Sequence, residues 1–215
     1  MRKLGLAIAL ASTALATPAL AREGSWYVGV HGGGMIVEDM DTVVTGTPNS
    51  NSTWNTNTGW DVDGVMGYDF GMFRLEAEVG YRKAFTDVNA YANGVNSTRG
   101  NARSLNFTVN ALLDFGNDDG LQGFIGGGAG VARTYLYSLT TAGSDTGFAW
   151  QAIAGLRYPL SNRIDFELKY RYFNHEGVDL RTSTQPDPRF APAGSPFTTD
   201  FRSHSLLAGL TYNFG

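Results

Sequence analysis

The 215-residue sequence has no cysteine and is poor in charged residues. The lack of cysteine excludes a disulfide scaffold, a cysteine-ligated zinc site and a thiol enzyme. Charged residues make up 17% of the chain, against about 25% in ordinary globular proteins, so little of the composition is suited to a soluble surface. The formal net charge of −4 gives no general excess of Lys and Arg for binding phosphates. We therefore expect no nucleic-acid partner.

The first 21 residues are typical of a secretory signal peptide. Arg2-Lys3 gives a positive start, residues 4–11 form a short apolar core, and Ala19-Leu20-Ala21 matches a small-x-small cleavage site. The apolar core is shorter than the roughly 20 residues that a transmembrane helix needs. We predict that residues 1–21 are removed and that residues 22–215 are exported as one domain.

In the rest of the chain, apolar side chains recur at every second position, the pattern of a β-strand with two different faces. The clearest segment is residues 72–82. One face carries the apolar Phe73, Leu75, Ala77, Val79 and Tyr81, and the other carries the charged Arg74, Glu76, Glu78 and Arg82. Six alternating segments and two glycine-rich ones are predicted as strands: 26–37, 60–70, 72–82, 104–115, 122–137, 148–160, 163–173 and 204–214. The faces of the two glycine-rich segments, 26–37 and 122–137, are left unassigned, and in the second segment Arg133 shares the parity of the apolar Val131.

Short and long connections alternate between these segments. The short ones are Gly71-Met72, residues 116–120 and Ser161-Asn162, all rich in turn-forming residues. The long ones are polar and irregular: 38–58, 84–103, 138–147 and 174–200. In eight antiparallel strands, this alternation places every long loop at one end. The sequence therefore predicts an all-β, eight-stranded antiparallel up-and-down barrel.

The alternation does not by itself decide which face lies inside, because a soluble barrel turns its apolar face inward and a membrane barrel turns it outward. Predicted strands of about ten residues suit a tilted membrane strand, whereas strands in soluble proteins usually have about 5–6 residues. Aromatic residues also form two girdles on the apolar face. They are Tyr68, Phe70, Phe73, Phe115, Tyr158, Tyr212 and Phe214 at the tight-turn end, and Trp60, Tyr81, Trp150 and Tyr172 at the loop end. Together with the export signal, these features predict a transmembrane β-barrel with a charged lumen.

Three stretches, residues 25–33, 164–172 and 203–214, resemble the small outer-membrane β-barrel family. That family includes the transmembrane domain of OmpA and the opacity-type surface antigens, and the resemblance extends over the whole mature chain. It implies an outer membrane of the Gram-negative type, extracellular loops and periplasmic termini. It also implies contact with outer-membrane lipid and lipopolysaccharide.

The C-terminus resembles the signal that the barrel-assembly machinery recognises in this family. The matching residues are Gly209, Tyr212 and Phe214, although Gly215 follows where a terminal Phe is usual. The resemblance therefore implies the assembly machinery as a partner during biogenesis.

The predicted lumen carries thirteen ionisable residues: Asp61, Asp63, Asp69, Arg74, Glu76, Glu78, Arg82, Asp114, Arg157, Asp165, Glu167, Lys169 and Arg171. The short turns predict these neighbours: Asp69 with Arg74, Asp61 with Arg82, and Arg157 with Asp165 or Glu167. Because an eight-stranded barrel is only wide enough for side chains to fill it, we interpret the set as a plug of ion pairs. A narrow ion path is the alternative. Such a path would prefer cations, since acidic residues outnumber basic ones.

No catalytic or metal-binding constellation is visible, so we expect no enzyme activity, cofactor or metal. His204 lies between two serines, but neighbouring side chains on a strand point to opposite faces. We interpret His204 as facing the membrane interface. The predicted function is that of a structural or surface-exposed outer-membrane protein that contributes to envelope integrity. The alternatives are the cation-preferring channel and adhesion or ligand binding through the long loops to an unknown partner.

Overall fold

The computed structural model describes residues 24–38, 40–43, 51–89, 98–117, 120–137, 142–181 and 196–215. These residues form nine strands: β1 (Ser25–Val37), β2 (Met40–Val43), β3 (Asn51–Asp69), β4 (Phe73–Asn89), β5 (Thr98–Phe115), β6 (Gln122–Tyr137), β7 (Ala142–Pro159), β8 (Ile164–Arg181) and β9 (Pro196–Asn213). No helix in the described ranges is long and apolar enough to cross a bilayer. The predicted signal peptide and its cleavage site lie outside these ranges.

The sheet closes on itself as a barrel. Consecutive strands from β3 to β9 pair in antiparallel fashion, and β1 pairs with both β3 and β9. The short β2 continues β1, because Ile36 opposite Thr58 and Met40 opposite Trp54 belong to the same register on β3. The nine strands therefore occupy eight positions around the barrel. The predicted eight-stranded antiparallel fold is confirmed.

The tight turns form where they were predicted. Gly71 and Gly116 have φ angles of 98° and 114°, in the left-handed region that glycine adopts without a steric penalty. The backbone N–H of Gly71 also donates a hydrogen bond to Asp69 Oδ1 at 2.7 Å. Because the described tight turns follow every second strand of an antiparallel barrel, they lie at one end of it.

The strands reach further toward the loop end than the alternation predicted. β3 begins at Asn51 instead of Trp60, and β4 ends at Asn89 instead of Arg82. The predicted long connections 38–58, 84–103, 138–147 and 174–200 are therefore partly strand, which corrects their boundaries. The alternation is enforced only where one face contacts lipid, whereas backbone pairing continues beyond the membrane.

The apolar face of the barrel lies outside. On β4, the Val79 side chain is 53% exposed and Arg82 is 0% exposed. The ring centroids of Trp60 and Tyr81 lie 5.4 Å apart at the loop end, and those of Trp26 and Tyr68 lie 5.3 Å apart at the tight-turn end. The outside-apolar arrangement excludes a soluble carrier with an apolar cavity and a charged exterior.

The structure assigns the face of β6 that the sequence left open. Val131, Arg133 and Tyr135 are exposed, whereas Ala132 and Thr134 are buried. Arg133 therefore points away from the lumen. On this strand, the outer face carries a charge at its loop end.

The inner face has a second layer that the sequence analysis did not predict. At the loop end, ten buried apolar side chains pack together inside the barrel: Met35, Val37, Ala84, Ala102, Ala132, Leu136, Ala149, Phe173, Val178 and Phe201. We call this cluster the apolar layer. It covers the charged part of the lumen on the side of the long loops.

Candidate functional site

The inner faces of the strands bring the ionisable residues together. All thirteen residues of the predicted lumen set are buried, none being more than 8% exposed. The two-residue period of a strand explains this, since every second side chain of a barrel strand points inward. We call these thirteen residues and His31 the ionic plug.

Arg171 of β8 is the centre of the loop-side half of the ionic plug. Its guanidinium lies 2.7 Å from Asp61 Oδ2, 3.1 Å from Asp63 Oδ2 and 2.5 Å from Glu78 Oε1. Lys169 Nζ adds a second cation, 3.0 Å from Asp63 Oδ2. Residues of β3, β4 and β8 are therefore joined through one arginine.

Arg82 connects the ionic plug to the apolar layer. It is the register partner of Asp61, as predicted, and its Nε lies 3.4 Å from Asp61 Oδ2. Its guanidinium carbon lies 3.6 Å from the centroid of the Phe173 ring. A cation against an aromatic face is attracted by the ring quadrupole, more strongly when both groups are desolvated.

Arg74 of β4 is the centre of the tight-turn half. It donates to both carboxylate oxygens of Asp114, at 2.7 and 2.9 Å, and to Glu167 Oε1 at 3.1 Å. Glu76 Oε1 is 3.6 Å away. Bidentate arginine–carboxylate pairs of this kind are the stronger and more specific ones.

The predicted neighbours are correct in register, but not all of them form ion pairs. Asp69 is the register partner of Arg74, yet it pairs with Arg157 across the lumen at 3.4 Å. Arg157 is the register partner of Glu167, but its Nε donates to Gln122 at 2.8 Å. The barrel interior is so narrow that a long arginine side chain reaches beyond its register partner.

His31 joins the two halves of the ionic plug and was missed by the sequence analysis. Its Nδ1 lies 2.6 Å from Asp63 Oδ1 and its Nε2 lies 3.2 Å from Glu167 Oε2. Both contacts are hydrogen bonds only when both ring nitrogens carry protons. The alternation of Trp26, Val28 and Val30 with His31 was the available signal, because it places His31 on the inner face.

Neutral polar groups donate further hydrogen bonds to the carboxylates. Glu78 Oε2 accepts bonds from Asn110 Nδ2 at 3.0 Å and Gln151 Nε2 at 3.1 Å. Tyr27 donates to Glu76 Oε1 at 2.8 Å, and Asp165 Oδ2 accepts from Asn213 at 2.9 Å. These partners were not predicted either. Buried charges are tolerated when they are both paired and hydrogen-bonded in this way.

The C-terminal residues that resemble an assembly signal lie on both faces of β9 and directly after it. Tyr212 and Phe214 point outward with their ring centroids 5.3 Å apart. Gly209 points inward, where a Cβ would overlap the His31 ring. Gly209 therefore makes room for the histidine of the ionic plug. Recognition of these residues by the assembly machinery stays a prediction.

His204 faces outward, as predicted, and the two neighbouring serines are buried in the lumen. Its ring nitrogens lie 2.7 Å from the Tyr170 hydroxyl and 2.8 Å from Glu38 Oε1. Within the described ranges, no group of three His, Asp or Glu side chains is arranged to hold a metal ion.

Comparison with known proteins agrees with this architecture. A family model described as "Outer membrane protein beta-barrel domain" matches residues 7–214. The chain is 25% identical to the outer membrane protein PagN of Salmonella typhimurium over 180 residues, which cover 70% of this chain and 71% of PagN. It is 26% identical to an outer membrane protein of Gluconacetobacter diazotrophicus over 217 residues, which cover 87% of this chain but only 57% of that relative.

A solved structure shows the same fold. The crystal structure of the outer membrane protein OprG from Pseudomonas aeruginosa superimposes with a TM-score of 0.62 at 14% sequence identity. The match covers 89% of this chain and 97% of OprG.

Proposed function

The chain belongs to the outer membrane protein β-barrel domain family, and from this premise we propose that it is a closed, surface-exposed structural barrel of the outer membrane. In this proposal the ionic plug and the apolar layer seal the lumen, and the barrel contributes to envelope integrity without conducting ions. The observation that carries the proposal is a set of ion pairs that cross the lumen from opposite walls.

The crossing pairs involve strands that are four positions apart in an eight-position barrel. Arg74 of β4 reaches Glu167 of β8, and Arg171 of β8 reaches Glu78 of β4. Arg157 of β7 likewise reaches Asp69 of β3. Side chains that meet from opposite walls occupy the barrel axis, where an ion would have to pass. The lumen of an eight-stranded barrel has no spare width around them.

The apolar layer supports closure in a second way. It places Phe173, Phe201 and Leu136 inside the barrel at the loop end, each at most 2% exposed. Moving an ion through an apolar constriction requires the ion to lose its hydration, at a large cost in free energy. An ion that entered from the loop side would meet this layer before it reached the charges.

The alternative function is a cation-preferring channel. The excess of acidic residues in the ionic plug agrees with a preference for cations. Eight carboxylates face five Lys and Arg side chains and His31. A path through this region would therefore attract cations. The loop-binding alternative concerns the loop tips, which lie outside the described residues. We propose no catalytic role, since the buried ionisable groups described above are engaged in ion pairs and hydrogen bonds.

Planar-bilayer recording of the folded chain tests closure. We expect no reproducible conductance steps from the wild type, and we expect steps from the double variant E78Q/E167Q, which removes two carboxylates that anchor the cross-lumen arginines. The control is R163Q, because Arg163 is exposed at the tight-turn end. Cation-selective steps in the wild type that E78Q/E167Q alters and R163Q leaves unchanged would establish the channel instead.

A further inference from the structure

Three basic side chains point outward from adjacent strands at the loop end of the barrel. Lys83 lies on β4, Arg103 on β5 and Arg133 on β6, and we call them the basic patch. Arg103 and Arg133 are exposed, and Lys83 is half-buried. Lys83 is the next outward position after Tyr81, whose ring packs against Trp60 in the loop-side girdle. The patch therefore lies at the level where the membrane meets water.

The register brings these cations close together. Lys83 lies directly opposite Arg103. Arg133 is opposite Leu105, two residues from Arg103, so the two arginines are diagonal neighbours. Cβ atoms directly opposite each other in an antiparallel pair are about 4.5–5.5 Å apart, and diagonal ones are within about 8 Å. Like charges in direct opposition destabilise a sheet unless a counter-charge lies nearby.

The described part of the chain does not supply that counter-charge. No described carboxylate forms an ion pair with any member of the basic patch. On the opposite wall, by contrast, Arg202 of β9 lies 2.7 Å from Asp200 and 4.0 Å from Glu38. Among the described residues, an outward cation is thus paired with carboxylates on one side of the barrel, and three outward cations have no carboxylate partner on the other side.

Two members of the basic patch, Lys83 and Arg133, contact aromatic or polar neighbours. Lys83 Nζ lies 5.0 Å from the Phe85 ring centroid, and the Arg133 guanidinium carbon lies 5.1 Å from that of Tyr135. Arg133 also donates to Ser144 Oγ at 3.3 Å. These contacts orient the cations at the surface and leave donors free for an external acceptor, since each guanidinium has five N–H groups.

An apolar wall lies directly below the basic patch, toward the middle of the membrane. Leu105, Phe107 and Val131 are each about half exposed, at 48%, 51% and 55%. Phe107 and Val131 are register partners on β5 and β6. A ligand that fits both features has an anionic head and hydrocarbon tails.

We propose that Lys83, Arg103 and Arg133 bind the phosphate groups of a phosphorylated glycolipid of the outer leaflet, of the lipopolysaccharide type, while its acyl chains lie along the apolar wall. The long loops of outer-membrane barrels face the cell exterior, so the patch is at the height of the outer-leaflet head groups. Arginine suits this ligand, because its planar fork binds phosphate oxygens in bidentate fashion. The inference goes beyond the proposed sealing function and does not depend on whether the lumen conducts.

Binding of defined lipids to the folded full chain in detergent micelles tests the site. The probes are bisphosphorylated lipid A, the same lipid with both phosphates removed, and inorganic phosphate, with bound lipid counted by native mass spectrometry. We expect bisphosphorylated lipid A to bind and R103Q/R133Q to weaken it by about thirtyfold, since each basic side chain near an anionic surface contributes about fivefold. We expect inorganic phosphate to compete only weakly, because it lacks the tails.

The matched control is R163Q/R202Q, which also removes two exposed outward arginines but from other parts of the surface. It should change lipid A binding by less than about threefold. The charge-preserving R103K/R133K should bind more tightly than R103Q/R133Q, and unboiled gel mobility checks that each variant is folded. Equal weakening by both glutamine doubles would mean non-specific attraction and would overturn the proposal. Equal binding of the phosphorylated and dephosphorylated lipids would overturn it as well.

Discussion

Arg74 and Glu167 lie 3.1 Å apart although their strands, β4 and β8, stand on opposite walls of the barrel. Arg171 and Glu78 make the reverse connection between the same two strands. The two pairs therefore connect β4 and β8 across the barrel axis, with the arginine on β4 in one pair and on β8 in the other. Backbone pairing holds each strand only to its neighbours, so side-chain contacts such as these link the distant walls directly.

Replacing one residue of a cross-lumen ion pair should lower the free energy of unfolding more than replacing both. We expect E78Q to lower the free energy of unfolding by about 1–3 kcal/mol, because the buried guanidinium of Arg171 loses one of its three carboxylate partners. The double variant R171M/E78L should recover part of that loss, since it leaves no unpaired group at position 78, and Asp61 and Asp63 keep Arg82 and Lys169 as buried counter-charges. Urea unfolding of the barrel refolded in lipid vesicles measures both. A double variant less stable than E78Q would contradict this view of the pair.

An exposed ion pair should contribute less to the free energy of unfolding than the buried pair of Arg171 and Glu78. Arg202 and Asp200 are 2.7 Å apart, but their side chains are 45% and 38% exposed. Water screens such a pair, so D200N should change the free energy of unfolding by less than about 1 kcal/mol. The same urea titration checks this value. A loss as large as that of E78Q would show that burial is not the cause of the difference.

Gly209 should tolerate alanine poorly. A Cβ at this position would overlap both the His31 ring and the Val30 carbonyl oxygen. We expect G209A to destabilise the barrel by about 1–3 kcal/mol, the usual cost of overpacking. Gly34 of β1 is the matched control, because a Cβ there meets no atom within 4 Å, so G34A should be neutral or slightly stabilising. Equal losses for the two variants would indicate a general intolerance of substitution.

Phe173 should be coupled energetically to Arg82, whose guanidinium lies over its ring. We expect F173L to cost about 1–2 kcal/mol of stability through lost packing and lost cation–π attraction. In the background R82Q the same substitution should cost less, because only the packing part remains. Unfolding of the four proteins of this double-mutant cycle gives the coupling energy. A value near zero would contradict a cation–π contribution.

His175 predicts a pH dependence of stability. It lies beyond the loop-side girdle, three residues after Tyr172, is fully buried, and its Nδ1 is 2.7 Å from Thr134 Oγ1. Burial lowers the pKa of His175, and the opposing influence of Asp145 and Asp200 is smaller. The unfolded chain therefore binds a proton more readily, so this group contributes stability above about pH 6.5 that is lost as the pH falls.

The variant H175Q tests this dependence. Between pH 7.5 and 5.5 the wild type should lose more stability than H175Q, because glutamine does not titrate. The other titrating groups are common to both proteins, so the difference between the two urea midpoints isolates His175. If the two proteins lost stability in parallel, the pKa of His175 would not differ between the folded and unfolded states.

The local pattern of the sequence determined the strands, the closed fold and the face on which most ionisable side chains lie. A period of two is enough for this, because lipid enforces the alternation along each membrane-crossing strand. The alternation in residues 72–82 thus placed Arg74, Glu78 and Arg82 together on one face. The alternation of apolar and polar residues does not continue beyond the membrane, and it did not predict that β3 begins at Asn51 and that β4 ends at Asn89.

Only the tertiary structure decided which side chains meet. Register predicts Asp69 beside Arg74, but closure of the barrel brings Glu167 to Arg74 and Arg157 to Asp69. Closure likewise sets His31 between two carboxylates from different strands. Neighbouring registers also align the three cations of the basic patch. The physical reason is that contacts across a barrel depend on its closure and on strand positions far apart in the chain, whereas a sequence pattern records only the environment of each strand.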